Sequence, residues 1–379
     1  RGISGESAKL FGLGYAPEGW RNLLDAHSSK GFERSLLLKA GLVAQSDSNL
    51  YDRLRARIVF PIRDRRGRVI GFGGRSLGDQ QPKYLNSPET ALFHKGSELY
   101  GLYETLQSCK PKQLIVVEGY LDVISLHQHG LTNSVATLGT AITNVQLEKI
   151  FREASHVIFC LDGDSAGQRA AWKALQLSLP KLTGDRQLEF SFLREGTDPD
   201  SLVREVGAEQ FFRQSDMMSP SDFLVATLEK EINSNSGDAK ARIVAKAKPF
   251  IISIPDGSHR VSAIRTLAKA TGFDEKILWQ EFHPNGGTRN SSKAGARLSE
   301  YVKRPLSDQI TAILLQYPSV GGKLEKPMAF LFERELPESN LLLAVWKAAI
   351  TNNPNPAMLF ERFRDSENVT QIKELASLR

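Results

Sequence analysis

Six acidic residues of this chain fall into three pairs, and each pair follows a short apolar run. The pairs are Glu118 and Asp122, Asp162 and Asp164, and Asp198 and Asp200. Carboxylates that crowd together repel one another, and hard cations that prefer oxygen ligands relieve that repulsion. These residue types at this spacing therefore predict a magnesium site.

The apolar runs before these acids predict strands that bring the pairs together. QLIVV precedes Glu118, HVIFCL precedes Asp162, and LEFSFL stands a few residues before Asp198. Helical patterns separate the runs, and this alternation is typical of a parallel sheet with covering helices. Side chains just past the carboxyl ends of parallel strands converge on one crevice. An α/β fold is therefore predicted for this part of the chain.

Each acidic pair also has an explanation that involves no metal. A DxD segment can form a turn or cap a helix. The segment Asp198-Pro199-Asp200 alone favours that explanation, whereas three pairs at consecutive strand ends favour a shared site. Gly163, inside the second pair, would leave room for an ion or a phosphate.

Two helix starts are predicted between these strands. Thr143 followed by Gln146 predicts a capping box, and Ser165 after the DGD segment predicts another N-cap. His127 lies in a helical pattern and is predicted at the surface rather than as a metal ligand. Cys160 lies within the apolar run VIFCL and is predicted to be buried.

Residues 51–75 are rich in arginine and carry only two aspartates. The arginines are Arg53, Arg55, Arg57, Arg63, Arg65, Arg66, Arg68 and Arg75. Arginine can hold phosphate oxygens with two parallel hydrogen bonds, which suits a nucleic acid or a nucleotide. The four from Arg63 to Arg68 surround a turn and are equally well explained as a solvated loop.

The same segment predicts a β-hairpin. RARIVFPI and VIGFGGR read as strands, and Gly67 would supply the turn conformation between them. Gly71, Gly73 and Gly74 follow in the second strand. They would permit a ligand to approach the backbone, or form a bulge in a twisted sheet.

Composition and charge agree with a globular protein that handles a polyanion. The 379 residues are 41% hydrophobic and 24% charged, with a net charge of +6. Residues 1–100 hold 16 Lys and Arg against 10 Asp and Glu, whereas residues 101–200 hold 9 against 12. A basic segment next to an acidic one suits a protein that grips a polyanion beside a metal site, although ordinary solvated charge is the alternative.

Other classes of protein are disfavoured by what the sequence lacks. No apolar run approaches the roughly 18 residues of a membrane span, and the N-terminus has no signal-peptide pattern. We therefore expect no membrane contact and a cytoplasmic location. The two cysteines, Cys109 and Cys160, lack CxxC spacing, so neither zinc nor a disulfide framework is indicated.

Two stretches of the chain resemble a known family. EGYLDV, DGDSAG and DPD, with about forty and thirty residues between them, resemble the Toprim domain of primases, topoisomerases and some nucleases. The preceding block, RLRARIVFPIRDRRGRVIGFGGR, then PKYLNSPETALFHKG and LYGL, is similar to the RNA-polymerase core of bacterial replicative primases. Topoisomerases do not carry that block, so the resemblance points to the primases.

The resemblance implies roles for individual residues. Glu118, Asp162 and Asp164 would be catalytic, and all six acids, Glu118, Asp122, Asp162, Asp164, Asp198 and Asp200, would be metal ligands. The nucleotide and template contacts would be Arg75, Lys83, Tyr84, Asn86, Lys95 and Arg1. From its residue type alone, Tyr84 could stack on a base or sugar, or belong to the core.

The resemblance also implies an organisation that is α/β in the centre and α+β overall. A central Toprim parallel sheet with flanking helices would follow a basic mixed α+β subdomain and precede helical subdomains. The expected boundaries are 1–100 for the basic N-terminal subdomain, 101–212 for the Toprim metal-binding subdomain, 213–284 for a helical subdomain, 285–303 for a linker, and 304–379 for the truncated beginning of a helicase-binding helical domain.

The implied activity is that of a DNA primase, a DNA-directed RNA polymerase and nucleotidyltransferase that makes short RNA primers on single-stranded DNA. Magnesium would be the cofactor, with Mn²⁺ as a substitute and no zinc in this chain. Expected partners are the template, ribonucleoside triphosphates, the RNA primer and the replicative helicase of the primosome, with the chain as a monomer. A Toprim-type nuclease and a non-catalytic adaptor for single-stranded DNA and helicase remain alternatives.

Overall fold

The computed structural model contains two compact units, residues 1–283 and 284–379, each with a hydrophobic core. The described residues are 2–47, 49–79, 81–139, 141–194, 196–232, 237–282, 306–324, 340–351, 355–364, 366 and 368–376. Arg1 and residues 285–303, for which the sequence predicts a nucleotide contact and a linker, lie outside the described residues.

The first unit begins with short helices and antiparallel strands. The helices are α1 (Gly5–Phe11), α2 (Asn22–Ser28), α3 (Arg34–Lys39) and α4 (Leu102–Ser108). The strands are β1 (Gly14–Ala16), β2 (Val43–Ser46), β3 (Asn49–Asp52), β4 (Arg57–Arg63), β5 (Val69–Ser76) and β6 (Tyr84–Asn86). β1, β4, β5 and β6 form one antiparallel sheet in the order β1-β4-β5-β6, while β2 and β3 pair separately.

The predicted hairpin is confirmed, because β4 and β5 pair antiparallel and Gly67 has a φ of +83° in the turn. The glycines of β5 have two roles, one of which the sequence suggests. A Cβ at Gly73 would lie 2.7 Å from Cζ of the Tyr120 ring, so the missing side chain makes room for Tyr120. The predicted bulge lies beside Gly71, because Ile62 pairs with Gly71 and Arg63 with Val69, which leaves Ile70 as the extra residue of β5.

The centre of the first unit is a five-stranded sheet. Its elements are β7 (Gln113–Val117), α5 (Tyr120–Gln128), β8 (Ser134–Ala136), α6 (Asn144–Glu153), β9 (His156–Leu161), α7 (Ser165–Ser178), β10 (Gln187–Phe192), α8 (Pro199–Phe211) and β11 (Asp216–Met218). The strand order is β11-β10-β9-β7-β8, and all pairs are parallel except β10 with β11. The predicted parallel sheet with covering helices is confirmed.

Alternate residues of the sheet enter two different cores. Leu114 and Val116 of β7 pack in the core that contains α6, α7 and the later helices. Ile115 and Val117 pack in the other, together with α5 and with Phe60 from β4. The basic N-terminal sheet and the central sheet therefore share a continuous core.

The remaining described elements are helical, as the sequence predicts. The first unit continues with α9 (Pro220–Ile232), α10 (Gly237–Ser253), α11 (Ser258–Thr271) and α12 (Glu275–Phe282). The second unit contains α13 (Leu306–Gln316), α14 (Asn340–Ile350), α15 (Pro356–Glu361) and α16 (Val369–Ala376). Short 3-10 helices cover Leu179–Lys181, Phe212–Gln214 and Pro318–Leu324. Among the described residues, none of the helices has the length and apolar character needed to cross a membrane.

Helix caps agree with one sequence prediction and correct another. Thr143 and Gln146 form the predicted capping box at the start of α6. Ser165 is not an N-cap, because Asp164 occupies that position and accepts hydrogen bonds from the N–H groups of Ala166 and Gly167, both at 2.8 Å. A carboxylate one residue earlier in the chain satisfies two free amides of the first turn, so Ser165 becomes the first helical residue.

Candidate metal and nucleotide site

The topology of the central sheet places the acidic residues at one crevice. β7 is followed by β8 on one side and flanked by β9 on the other, so the strand order changes direction between β7 and β9. Glu118 directly follows β7 and Asp162 directly follows β9. In open α/β sheets, ligands bind outside the carboxyl ends of the strands at such a switch point.

The other four acids lie at the starts of the following helices. Asp122 lies in the first turn of α5, Asp164 caps α7, Asp198 caps α8, and Asp200 lies in the first turn of α8. The acid cluster is defined here as Glu118, Asp122, Asp162, Asp164, Asp198 and Asp200. Asp164 and Asp198 therefore have the capping role that the sequence left open for DxD segments. Both nevertheless belong to the acid cluster.

Backbone amides connect the loops that carry these acids. The backbone N–H of Asp162 lies close enough to the Glu118 carboxylate to oppose the rise in its pKa, and the N–H of Asp200 does the same for Asp122. The three predicted pairs therefore meet in space, although they are far apart in sequence.

Mutual repulsion is visible in the protonation of the cluster. Burial, followed by the charges of Asp162, Asp198 and Asp200, raises the pKa of Asp122 to about 7. Burial, followed by Glu118, Asp198 and Asp164, raises the pKa of Asp162 to about 6. The charges of carboxylates on both sides act on Asp162, which is therefore the electrostatic centre of the cluster.

Glu118 is a further buried carboxylate that lies close to another acid of the cluster. Burial, followed by the charge of Asp164, raises its pKa above the usual range. Oε1 of Glu118 and Oδ1 of Asp162 are both buried and have no hydrogen-bond partner in the described part of the chain. Buried anionic oxygens without partners are costly, and a cation that takes oxygen ligands would satisfy both.

The residues therefore fit a hard divalent cation by their chemistry, although they do not surround a single point. Within the described residues, no three His, Cys, Asp or Glu side chains converge closely enough to hold one ion. Asp200 is 1% exposed and forms an ion pair with Arg204, at 3.0 Å between Nε and Oδ1. The cluster thus combines carboxylates with partners inside the protein and the two unsatisfied oxygens of Glu118 and Asp162.

Gly163 serves the packing of the acidic loop instead of leaving room for a ligand. A Cβ at this position would lie 2.5 Å from the carbonyl oxygen of Leu193 and 2.6 Å from that of Arg194. The space predicted for an ion or a phosphate is filled by the backbone after β10. Glycine is therefore needed here so that the loops after β9 and β10 can pack together.

A cleft of about 410 Å³ lies next to the acid cluster. Glu118 lines it together with Val116 and Phe159 of the sheet and with Arg169 and Ala170 of α7. Most of its surface is apolar, and Glu118 and Arg169 bring opposite charges to it. A pocket with apolar walls and few charged groups is typical of small-molecule sites.

Two of the predicted nucleotide contacts face each other on neighbouring strands. Arg75 of β5 is paired in register with Tyr84 of β6, and the guanidinium carbon of Arg75 lies 5.9 Å from the centre of the Tyr84 ring. Nε of Arg75 is buried and has no hydrogen-bond partner in the described structure. Tyr84 is 40% exposed and is therefore not a core residue, and its stacking on a base or sugar stays a prediction.

The other predicted contacts lie nearby in the sequence and are tied to the fold by their backbones. Lys83 is exposed and its carbonyl accepts from Nη1 of Arg57, whereas Lys95 is half-buried and its carbonyl accepts from Nε2 of Gln146. Asn86 accepts a hydrogen bond from the Tyr120 hydroxyl at 2.6 Å. We call Arg75, Lys83, Tyr84, Asn86 and Lys95 the basic ridge. Arg1, the sixth predicted contact, lies outside the described residues.

The arginine-rich turn has a structural explanation. Arg63 pairs with Glu104 at 2.8 Å, Arg65 with Glu153 at 2.9 Å, and Arg68 with Asp64 at 2.6 Å. These three side chains have carboxylate partners inside the first unit. The solvated-loop explanation is therefore closer to the structure than a phosphate-binding patch.

The structure adds an aromatic platform that the sequence does not predict. Trp20 is 63% exposed, and the guanidinium carbon of Arg55 lies 4.0 Å from its ring centre and 5.2 Å from that of Tyr51. An exposed aromatic ring beside a cation is typical of surfaces that stack nucleic-acid bases. The signal available in the sequence is weak, because it is only a tryptophan in the loop segment EGWR.

His127 corrects the prediction of a surface position. It is 6% exposed, its Nε2 lies 3.2 Å from the carbonyl oxygen of Ser134, and burial lowers its pKa to about 4. α5 is covered by α1 and α8 as well as by the sheet, so that most of its residues are buried. Cys160 is buried, as predicted.

Comparisons with known proteins address the identity of this arrangement. Three family models match: "DNA primase catalytic core, N-terminal domain" over residues 1–106, "Toprim domain" over 112–193, and "DnaB-helicase binding domain of primase" over 221–276. A crystal structure of a DNA primase domain from Pseudomonas aeruginosa is 43% identical, with a TM-score of 0.69, and covers 74% of this chain and 89% of that one. The chain belongs to the DNA primase family.

Further relatives agree with this membership of the DNA primase family and show its extent. The DNA primase of Salmonella typhimurium is 38% identical over 99% of this chain, and that of Pseudomonas putida is 47% identical over 74%. The structure of the DnaG primase catalytic domain bound to ssDNA is 45% identical, with a TM-score of 0.66, and covers 71% of this chain and 87% of that one. The chain spans 64% of the length of the Salmonella relative.

The family membership confirms the resemblance to the primase core and the predicted fold class. The helicase-binding family model matches residues 221–276, in the region of α9 to α12. The sequence predicts helicase binding further along, in 304–379. That assignment stays a prediction.

Proposed function

We propose that this chain is the catalytic part of a primase, which joins ribonucleotides into short RNA primers on a single-stranded DNA template. The observation that carries the proposal is the acid cluster, with unsatisfied buried oxygens on Glu118 and Asp162 at the switch point of the sheet. The basic ridge lies next to it, because Tyr120, between Glu118 and Asp122 in sequence, contacts both Tyr84 and Asn86.

The acid cluster would hold Mg²⁺, for which Mn²⁺ can substitute. Glu118, Asp162 and Asp164 are the proposed catalytic ligands, and Asp122, Asp198 and Asp200 complete the set. When bound, such a cation would lower the pKa of the attacking 3′-hydroxyl and neutralise charge on the departing pyrophosphate. The carboxylates would hold the cation and fix its position, and the proton of the 3′-hydroxyl would pass to water, so no side chain is needed as a general base.

The basic ridge would hold the triphosphate of the incoming nucleotide. Arg75 is the best placed for a phosphate, since its buried Nε has no partner in the described structure. Lys83 and Lys95 would add charge, Tyr84 would face the base or sugar, and Arg1 would contribute a further guanidinium group.

The aromatic platform of Trp20, Tyr51 and Arg55 would hold the template. Stacking of bases on Trp20 is tolerant of sequence, and Arg55 would add attraction to the phosphate backbone. Template binding should therefore weaken as the salt concentration rises, with little preference for base sequence.

The proposed organisation follows the predicted boundaries, with the basic subdomain in 1–100, the Toprim subdomain in 101–212 and a helical subdomain in 213–284. A replicative helicase is the proposed partner, and two segments compete for that contact, 221–276 and 304–379. Pull-down of the helicase by chains that end at 283 or extend to 379 separates them.

A primer-synthesis assay tests the function directly. The chain is incubated with labelled single-stranded DNA, ribonucleoside triphosphates and Mg²⁺, and we expect short RNA products that disappear in the Asp162→Asn variant. Cleavage of the DNA without RNA synthesis would favour the nuclease alternative. Template binding without either reaction would favour the adaptor.

A further inference from the structure

Tyr120 occupies a position between the two halves of the proposed site. It lies two residues after Glu118 and two before Asp122, as the first residue of α5, and is 5% exposed. Its backbone therefore lies between two members of the acid cluster. Its side chain contacts Phe60 and Asn86 of the N-terminal sheet.

The ring of Tyr120 is held by close contacts with residues of the N-terminal sheet and with Tyr100, which forms a bridge to Ala136. It stacks on Phe60 of β4 with ring centres 5.2 Å apart and an interplanar angle of 9°. It also meets Tyr100 edge to face at 4.7 Å, and the missing side chain of Gly73 makes room for it. These contacts fix the direction of the hydroxyl.

The hydroxyl of Tyr120 donates to Oδ1 of Asn86 at 2.6 Å. Nδ2 of Asn86 donates in turn to the carbonyl oxygen of Leu138 at 2.9 Å. The backbone carbonyl of Asn86 accepts a hydrogen bond from Nε of Arg53 at 3.2 Å. Asn86 therefore joins three segments: the acid-bearing helix α5, the basic ridge, and the segment after β8 that lines the cleft. Its amide is engaged by the protein at both ends.

We infer that Tyr120 and Asn86 form a positioning pair that sets the spacing between the acid cluster and the basic ridge. This inference rests on the proposed function, since the spacing matters only where one triphosphate contacts both. Asn86 then acts through Tyr120 and Leu138 instead of through direct contact with the nucleotide. A displacement of about 1 Å between reacting groups can lower a rate by about 100-fold. A small change in the distance between the acid cluster and the basic ridge would therefore lower the rate strongly.

The test uses Tyr120→Phe, which keeps the ring and removes only the hydroxyl. Mn²⁺ binding is measured by calorimetry with and without ATP, and the increase in Mn²⁺ affinity caused by ATP reports how well one nucleotide contacts both regions. We expect Mn²⁺ alone to bind within about twofold of wild type, while the increase due to ATP and the kcat of primer synthesis each fall about tenfold. Tyr15→Phe, at a tyrosine that is 55% exposed on β1, is the matched control.

A double variant separates positioning from direct contact. If Asn86 acts through Tyr120, the pair Tyr120→Phe with Asn86→Ala loses no more activity than Asn86→Ala alone. Multiplication of the two effects would contradict the inference, and so would a Tyr120→Phe protein whose response to ATP and turnover stay within about twofold of wild type. Absence of RNA synthesis in the wild-type chain would instead contradict the proposed function.

Discussion

The acid cluster and the arginine-rich turn are both dense patches of like charge, but their surroundings differ. Around the turn, Arg63, Arg65 and Arg68 each meet a carboxylate at 2.6–2.9 Å. In the acid cluster, buried oxygens of Glu118 and Asp162 have no partner among the described residues. Charge that is compensated within the fold supports structure, whereas uncompensated charge at strand ends requires a ligand.

Removal of charge at the centre of the acid cluster should have the largest effect. Asp162→Asn keeps the shape of the side chain, and we expect primer synthesis to fall by at least about 100-fold. The metal-free protein should be as stable as wild type or more stable, because the variant relieves repulsion from neighbouring carboxylates. Initial rates and thermal unfolding in EDTA measure the two effects. Wild-type rates in this variant would mean that the charge of the acid cluster, like that of the arginine-rich turn, is not needed for the reaction.

The pH dependence of metal binding should be the next largest effect. The pKa of Asp162 is raised to about 6 and that of Asp122 to about 7, so protons compete with a cation below neutrality. We expect Mn²⁺ affinity to rise about tenfold or more between pH 5.5 and pH 7.5 and then to level off. Calorimetry across this range measures it, and a flat profile would contradict repulsion within the cluster.

The same shifts have a consequence for stability. Because both pKa values are raised in the folded state, the metal-free folded chain binds more protons than the unfolded chain between about pH 4 and pH 7. The contribution of these two groups to stability is therefore present at low pH and lost as the pH rises through 6 and 7. Saturation with Mn²⁺ should reverse that trend.

Arg75 differs from the arginines of the turn, because its Nε has no hydrogen-bond partner in the described structure. Arg75→Ala should raise the KM for nucleotides about tenfold, because a hydrogen bond to a charged phosphate is lost. Its effect on thermal unfolding should be small, since Nε of Arg75 has no protein partner in the described structure. Unchanged KM values would place the nucleotide away from the basic ridge.

Trp20→Ala tests a patch in which charge and an exposed ring act together. We expect affinity for single-stranded DNA to fall about tenfold, because one stacked base is lost, and the dependence on salt to stay the same. Fluorescence anisotropy at several salt concentrations measures both quantities. Leu10→Ala, at a leucine that is 50% exposed on α1, is the control. Equal affinities for the Trp20→Ala and control proteins would place the template elsewhere.

Arg65→Ala should have the smallest effect of all. The arginine is 66% exposed in its pair with Glu153, and such pairs contribute less than about 1 kcal/mol. Primer synthesis should be unchanged, and the free energy of unfolding should fall only slightly. A large loss of activity here would mean that the turn contacts nucleic acid after all.

The sequence predicted the parts of this contrast that depend on local pattern. Apolar runs before Glu118 and Asp162 predict strands, and the rules for parallel sheets then bring their ends together. Whether a charge is compensated depends on contacts between residues that are far apart in sequence, such as Arg65 and Glu153. No local pattern reveals such contacts. The same reason explains why the burial of His127 and the packing of Gly163 against the loop after β10 were not predicted.

Anomalous scattering from a crystal soaked in Mn²⁺ would show whether the acid cluster binds a divalent cation. We expect manganese at the carboxyl ends of β7 and β9, with carboxylate oxygens of Glu118 and Asp162 among its ligands. An acid cluster that remains empty at saturating Mn²⁺, or a manganese site elsewhere in the first unit, would contradict it.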